Sequence, residues 1–179
     1  GWGEDDAYVT FDATVWGGGH CHLSRNAVQL HAFRQTMVAD PGSLTYEGSD
    51  PMSAHGKSTR AHNTCTLNGL NQADTNPQAF YAFHAPGVDF VFGEYNGGYW
   101  EGNFRWNFSH MGKGIMASHA RWMLWVHDLG LVIQDSMYRQ PTVRGGEGET
   151  PPSLECNWQL AENAVPAVAV DGSRVDVGY

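Results

Sequence analysis

Residues 117–138, ASHARWMLWVHDLGLVIQDSMY, decide the fold. Two apolar, aromatic-rich runs, 117–127 and 131–138, meet across Asp128-Leu129-Gly130, and neither carries a 3.6-residue stripe, so the pair is expected to form adjacent strands. The same grammar extends in both directions. Residues 79–84 and 88–95 are a second such pair, and before them 7–15, 26–33, 36–39 and 61–67 are expected strands. These early runs are punctuated by Gly17-Gly18-Gly19, Asp40-Pro41-Gly42 and Asn68-Gly69, the last a strong hairpin signal. Beyond a linker expected at 144–152, residues 155–161 and 165–170 suggest two more strands. The stretch 43–59, rich in Ser, Thr, Gly and Pro, is expected to be a long loop of the kind that carries function. Short strands between Gly-rich turns predict an all-β chain, an antiparallel β-sandwich forming one domain over 1–179, with under about a fifth of its residues helical.

The chain has 179 residues, 41% of them hydrophobic, which suffices for one core. A formal charge of −9 with ten Lys plus Arg argues against nucleic acid as a partner, since phosphate contacts need a basic surface. No apolar run approaches the length of a membrane span. Three cysteines, Cys21, Cys65 and Cys156, lack the spacing of a disulfide framework or a CxxC metal site, so at most one bridge can form.

Chemistry-bearing residues concentrate between Gly18 and Gln72. His20 and His22 flank Cys21, and on an extended segment that spacing puts both imidazoles on one face. Asp40 opens a turn, Tyr46 follows in the polar loop, and His62 arrives in Arg60-Ala61-His62-Asn63-Thr64. Two histidines and a carboxylate drawn from three segments could complete a Zn²⁺ shell. Against this, Asp40 before Pro-Gly reads equally as a turn cap. His31, His55, His84, His110 and His127 read as ordinary hydrogen-bonded histidines, and Trp100, Trp106, Trp122 and Trp125 as packing rather than sugar-stacking residues.

The order HxH, apolar strand, Asp-Pro-Gly, Tyr, Arg-x-His-Asn-Thr, strand, Asn-Gly-x-x-Gln resembles the heparinase II/III-like polysaccharide lyases. The specific part covers residues 18–72, and a looser likeness, including Ser118-His119-Ala120-Arg121, runs from about 2 to 139. The resemblance implies a C-terminal β-sandwich that in full-length members accompanies a helical (α/α)-toroid. This chain would then be a fragment of a larger lyase, with the toroid supplied in cis or in trans. It also implies a secreted or periplasmic location and a uronate-containing anionic polysaccharide as substrate. Position by position, it implies that His22, Asp40 and His62 hold a structural Zn²⁺. His20 would serve as charge neutraliser or base, Tyr46 as proton-transfer residue and Arg60 as substrate contact. One departure is local: relatives often carry Asp two residues after the second His, where this chain has Ser24, so the support of the metal ligands is altered.

Two other classes compete. A cupin-like metal-dependent oxidase or dioxygenase also presents HxH on a β-barrel, but the Glu expected four residues past the second His is Asn26 here. A noncatalytic carbohydrate-binding or structural β-domain is the other. Bound metal identity and formation of an unsaturated sugar separate the three.

Overall fold

The computed structural model describes residues 3–15, 18–76, 79–101, 114–139, 152–160, 165–168 and 175–178. Its strands are β1 (Tyr8–Phe11), β2 (Val28–Ala32), β3 (Gln35–Val38), β4 (Cys65–Leu67), β5 (Asn71–Gln72), β6 (Ala79–Ala85) and β7 (Val88–Tyr95). They continue with β8 (Tyr99–Trp100), β9 (Gly114–Ile115), β10 (Ala117–Val126), β11 (Gly130–Arg139), β12 (Leu154–Cys156), β13 (Val165–Val168) and β14 (Val175–Gly178). Strands account for 47%, against one seven-residue α-helix, α1 (Pro51–Lys57), and one 3₁₀ turn (Thr59–Ala61) among the described residues. The chain is therefore an all-β sandwich with antiparallel pairing.

The largest sheet has the order β11-β10-β7-β6. Its spine is the hairpin read from residues 117–138, running in unbroken register from Ala117 opposite Arg139 to Val126 opposite Gly130. Asp128 (φ 62°) and Gly130 (φ 150°) turn it. β6 and β7 turn over Pro86-Gly87, where proline presets its own φ and Gly87 supplies the positive φ (80°). A three-stranded sheet, β1-β2-β3, meets the large sheet through Phe11, whose ring stands 6.1 Å from that of Phe80 on β6, and through Asn26 just before β2, whose Nδ2 donates to Gly93 O on β7 and His119 O on β10. Gly93 marks the closest approach: a Cβ there would lie 2.6 Å from the Phe11 ring and closer still to Asn26. The remaining described pairs are β12-β4, β13-β14 and β5-β8-β9.

Several stretches depart from the sequence expectation; the strand expected at 155–161, for one, is β12 over Leu154–Cys156 only. The stretch 43–59 is not all loop, because α1 occupies its second half. Asp50 caps the helix, its Oδ1 accepting from Met52 N at 2.9 Å, with Pro51 at the first helical position; Ser58 Oγ closes it on His55 O at 2.7 Å. The strand expected at 61–67 starts only at Cys65, since the 3₁₀ turn and an irregular His62–Thr64 segment take the earlier positions. Most of the linker expected at 144–152, together with Trp106 and His110, lies outside the described residues.

The interior between the sheets is partly polar. Arg121 on β10 is fully buried, and a buried guanidinium must be paired to be tolerated. Its Nε and Nη2 donate to Asp135 Oδ1 and Oδ2 at 2.7 and 2.9 Å, and it lies over the Trp158 ring. Nη1 donates to Asn26 O at 2.8 Å and Asn63 O at 2.5 Å. One side chain of the large sheet thus clamps the segment after His22 to the segment after His62. An apolar cluster of Leu67, Tyr95, Tyr99 and Ala117 adjoins it.

Candidate metal and substrate site

Three segments converge at one edge of this interior. His62 is buried and its Nδ1 lies 2.6 Å from Asp40 Oδ2. The His22 ring stands 5.1 Å, centroid to centroid, from the His62 ring. One ligating atom from each of His22, Asp40 and His62 falls within 4.8 Å of the others. Within this trio His62 Nε2 is buried with no hydrogen-bond partner, an arrangement that costs free energy unless something else satisfies the nitrogen. Burial first, and then the charge of His62, holds the His22 imidazole below its ordinary pKa against the opposing pull of Asp40, so it is neutral at pH 7 with a lone pair available. Burial opposes ionisation of Asp40, but the hydrogen bond and charge of His62 win and keep its carboxyl below the usual range. Two neutral-capable imidazoles and a carboxylate form a donor set suited to Zn²⁺.

Backbone latches hold the trio in place, and they come from the motif residues that flank it. Asn63 Nδ2 donates to Ala39 O at 2.6 Å, fixing the turn that carries Asp40. Thr64 Oγ1 donates to Arg25 O at 2.8 Å, and Gln72 bonds both backbone groups of Arg25. Asn71 Oδ1 accepts from Thr59 N, while Gln72 N donates to Thr59 Oγ1. Most of the Asn-Thr and Asn-Gly-x-x-Gln signature is therefore positioning hardware for His22, Asp40 and His62.

The Ser24 departure also has a structural answer. Ser24 Oγ donates to Asp12 Oδ2 at 2.6 Å, and Arg25 and Thr14 hold the same carboxylate. Asp12, in the loop after β1, also acts electrostatically on His22, more weakly than His62, Asp40 or Lys57 do. No local sequence signal marks it.

His20 and Tyr46 lie on the surface beside the trio, with ring centroids 6.1 Å apart and Tyr46 76% exposed. The segment from His20 to His22 is not extended as expected. Cys21 N donates to Gly18 O in a turn, and the two imidazoles take different partners, His20 against Tyr46 and His22 against His62. The Tyr46 loop rests on α1, where a Cβ at buried Gly56 would meet Leu44 Cγ at 3.3 Å. Lys57, at the end of α1, donates to Gly19 O at 2.9 Å and bears electrostatically on His22. It was not singled out from sequence because its helix was not. Arg60 is exposed, and its guanidinium lies 3.7 Å from Glu155. Asn26, the fourth residue past His22, points into the interior toward Gly93 O and His119 O, so it offers no cupin-like ligand.

A family model described as heparinase II/III-like, C-terminal, matches residues 2–176, and the chain belongs to this family. The fold is shared with solved polysaccharide lyases. A heparan sulfate lyase, HepC, from Pedobacter heparinus superposes with TM-score 0.70 at 19% identity, covering 100% of this chain and 25% of that one. A mutant of the same lyase gives 0.72 at 19% identity over the same shares. A heparinase III gene product with methylated lysines gives 0.67 at 17% identity over 94% of this chain and 23% of that one. The chain thus spans about a quarter of the length of these lyases. No curated protein sequence matches it. No described helix is long and apolar enough to cross a membrane.

Proposed function

We propose that this chain is the β-sandwich part of a secreted or periplasmic polysaccharide lyase acting on a uronate-containing anionic polymer by β-elimination. The observation that carries the reading is the adjacency of an exposed His20–Tyr46 pair to the His22–Asp40–His62 trio, in which buried His62 keeps one unsatisfied imidazole nitrogen. A C5 proton next to a carboxylate is too weakly acidic to remove until that carboxylate is neutralised. His20 is the charge neutraliser or base, Lys57, bonded to Gly19 O, adds a positive charge next to it, and Arg60 is a substrate contact. Tyr46 in its phenolate form takes the C5 proton, the electron pair becomes the C4–C5 double bond, and the C4–O bond breaks as the Tyr46 phenol so formed returns that proton to the leaving oxygen. His22, Asp40 and His62 would hold Zn²⁺, which when bound would brace three segments electrostatically. The residues of the trio themselves orient the turn before Tyr46.

Both reactive side chains are open to solvent on one side, and a helical toroid is the partner that would complete a cleft there. The test is absorbance of the unsaturated product on heparan sulfate, alginate and ulvan, with the chain alone and with a family toroid joined or added. Activity should appear with the toroid, and Tyr46→Phe should remove most of it while leaving zinc content unchanged. Full activity in Tyr46→Phe would refute the assignment. Zinc binding with no product on any polymer would favour a carbohydrate-binding module.

A further inference from the structure

Away from this site, the structure brings two of the three cysteines together. Cys65 on β4 and Cys156 on β12 are directly opposed in the antiparallel register, and their Sγ atoms stand 2.7 Å apart. Asn157 N donates to Thr64 O and Asn68 N to Ser153 O, which makes the flanking pairs hydrogen-bonded ones. Cys65 and Cys156 therefore occupy a non-hydrogen-bonded position, where opposed Cα atoms lie about 4.5 Å apart and side chains are closest. That spacing is within the Cα range a disulfide spans.

We propose that Cys65 and Cys156 form a redox-controlled disulfide that fastens the C-terminal strap, residues 153–160, to the strand behind the candidate metal site. The strap has work to do there. Gln159 N donates to Asn63 Oδ1, Gln159 O accepts from Ala39 N, and Leu160 bridges to Val38, so it touches both segments that present Asp40 and His62. Cys156 is exposed and Cys65 is fully buried, which sets the order of events. The Cys156 thiolate attacks an external disulfide such as glutathione disulfide, and one glutathione leaves carrying the Cys156 proton. Cys65 Sγ then attacks Cys156 Sγ, expelling the second glutathione, which takes the Cys65 proton. Two thiols are oxidised and one external disulfide is reduced.

Asp135 completes a possible Cys–Asp–Cys ligand set with this pair, but its oxygens already accept from Arg121 and His119, and Arg121 Nη2 lies 3.8 Å from Cys65 Sγ. A cation would sit against a buried guanidinium, so the disulfide is the better-supported chemistry.

The experiment treats the chain with glutathione disulfide or with dithiothreitol, followed by denatured thiol counts, intact mass, peptide mapping and thermal melts. Oxidation should leave one thiol of three, at Cys21, lower the mass by two hydrogens and link the Cys65 and Cys156 peptides. The melting temperature should rise by about 5–15 °C over the reduced chain. In Cys156→Ser, whose changed residue is exposed, the oxidant should no longer move it. Three persistent thiols, a stable glutathione adduct at Cys156 or a link through Cys21 would overturn the proposal. So would zinc uptake that protects Cys65 and Cys156 from thiol reagents, which would make the cluster a metal site.

Discussion

Among the described residues aspartate meets histidine at Asp40, Asp89 and Asp135, and the two clusters built on a buried histidine, at Asp40 and Asp135, differ in what is left over. At Asp135 and His119 the contact is 2.8 Å, the other imidazole nitrogen faces Asn26, and Arg121 takes both carboxylate oxygens. Every nitrogen and oxygen of the His119 and Asp135 side chains has a partner there, although Asn26 Oδ1 beside them has none. At Asp40 and His62 the contact is 2.6 Å, but no arginine intervenes, a second imidazole stands beside it, and His62 Nε2 has no partner. Residue types alone do not separate a framework cluster from a ligand-binding one. What sets His62 Nε2 apart is that, among the described buried polar atoms without a partner, it is the one imidazole nitrogen, and it has ligating atoms of His22 and Asp40 beside it.

The sharpest way to break this contrast is Arg121→Met. It strands a buried carboxylate and releases the carbonyls of Asn26 and Asn63, so urea melts should show a loss of about 3–5 kcal/mol. A chelator should leave that loss unchanged. His22→Ala should behave in the opposite way: with zinc supplied at 100–1,000 times its Kd the wild type should exceed it by about 3–4 kcal/mol, and with chelator the difference should vanish. If chelation changes neither protein, the open cluster is no metal site.

Acid distinguishes the clusters more mildly. Burial lowers the His119 pKa, so its contribution is complete above the unfolded value near 6.5 and is lost as pH falls. Asp135 is held well below its ordinary pKa by His119 and Arg121 despite burial, so its contribution is complete above about pH 4 and fades below that. Thermal melts should therefore decline in two stages on acidification, and Asp135→Asn should remove the lower one. The smallest effect is expected from Ser24→Ala, about 1 kcal/mol, because Asp12 keeps Arg25 and Thr14 as donors. Its zinc affinity, measured by competition with a chromophoric chelator, should nonetheless weaken, since the carboxylate near His22 loses one anchor.

How much of this was legible in the sequence depended on whether a signal was local. The turn at Asn68-Gly69 was legible because both residues favour the positive φ they adopt, 52° and 68°. Phe33-Arg34 makes the same kind of two-residue turn, φ 52° and 63°, from residues that advertise nothing. The long hairpins were readable from their apolar runs, whereas β5, β8 and β9 are two-residue pairs too short to leave a pattern. α1 did carry a start signal, Asp50-Pro51, but its short, Ser- and Gly-containing body hid it. Of the site, the trio was visible through motif order. The Arg121 clamp and the Asp12 support were not, because their partners lie 95 and 12 residues away.

Gly56 gives the molecule room to change its chemistry without endangering its architecture. Alanine there would remove a flexible residue from a helix, worth about 0.5–1 kcal/mol in favour of folding, while its methyl would press on Leu44 at 3.3 Å and nudge the loop that carries Tyr46. Gly42 O, in the turn that carries Asp40, would lie 3.5 Å from that methyl, an ordinary contact, and neither Arg121 nor the large sheet is among its nearest neighbours. Variation at the Gly56–Leu44 contact would therefore shift the loop that carries Tyr46 while the scaffold stays intact, and so would probe the role proposed for that phenol separately from the fold.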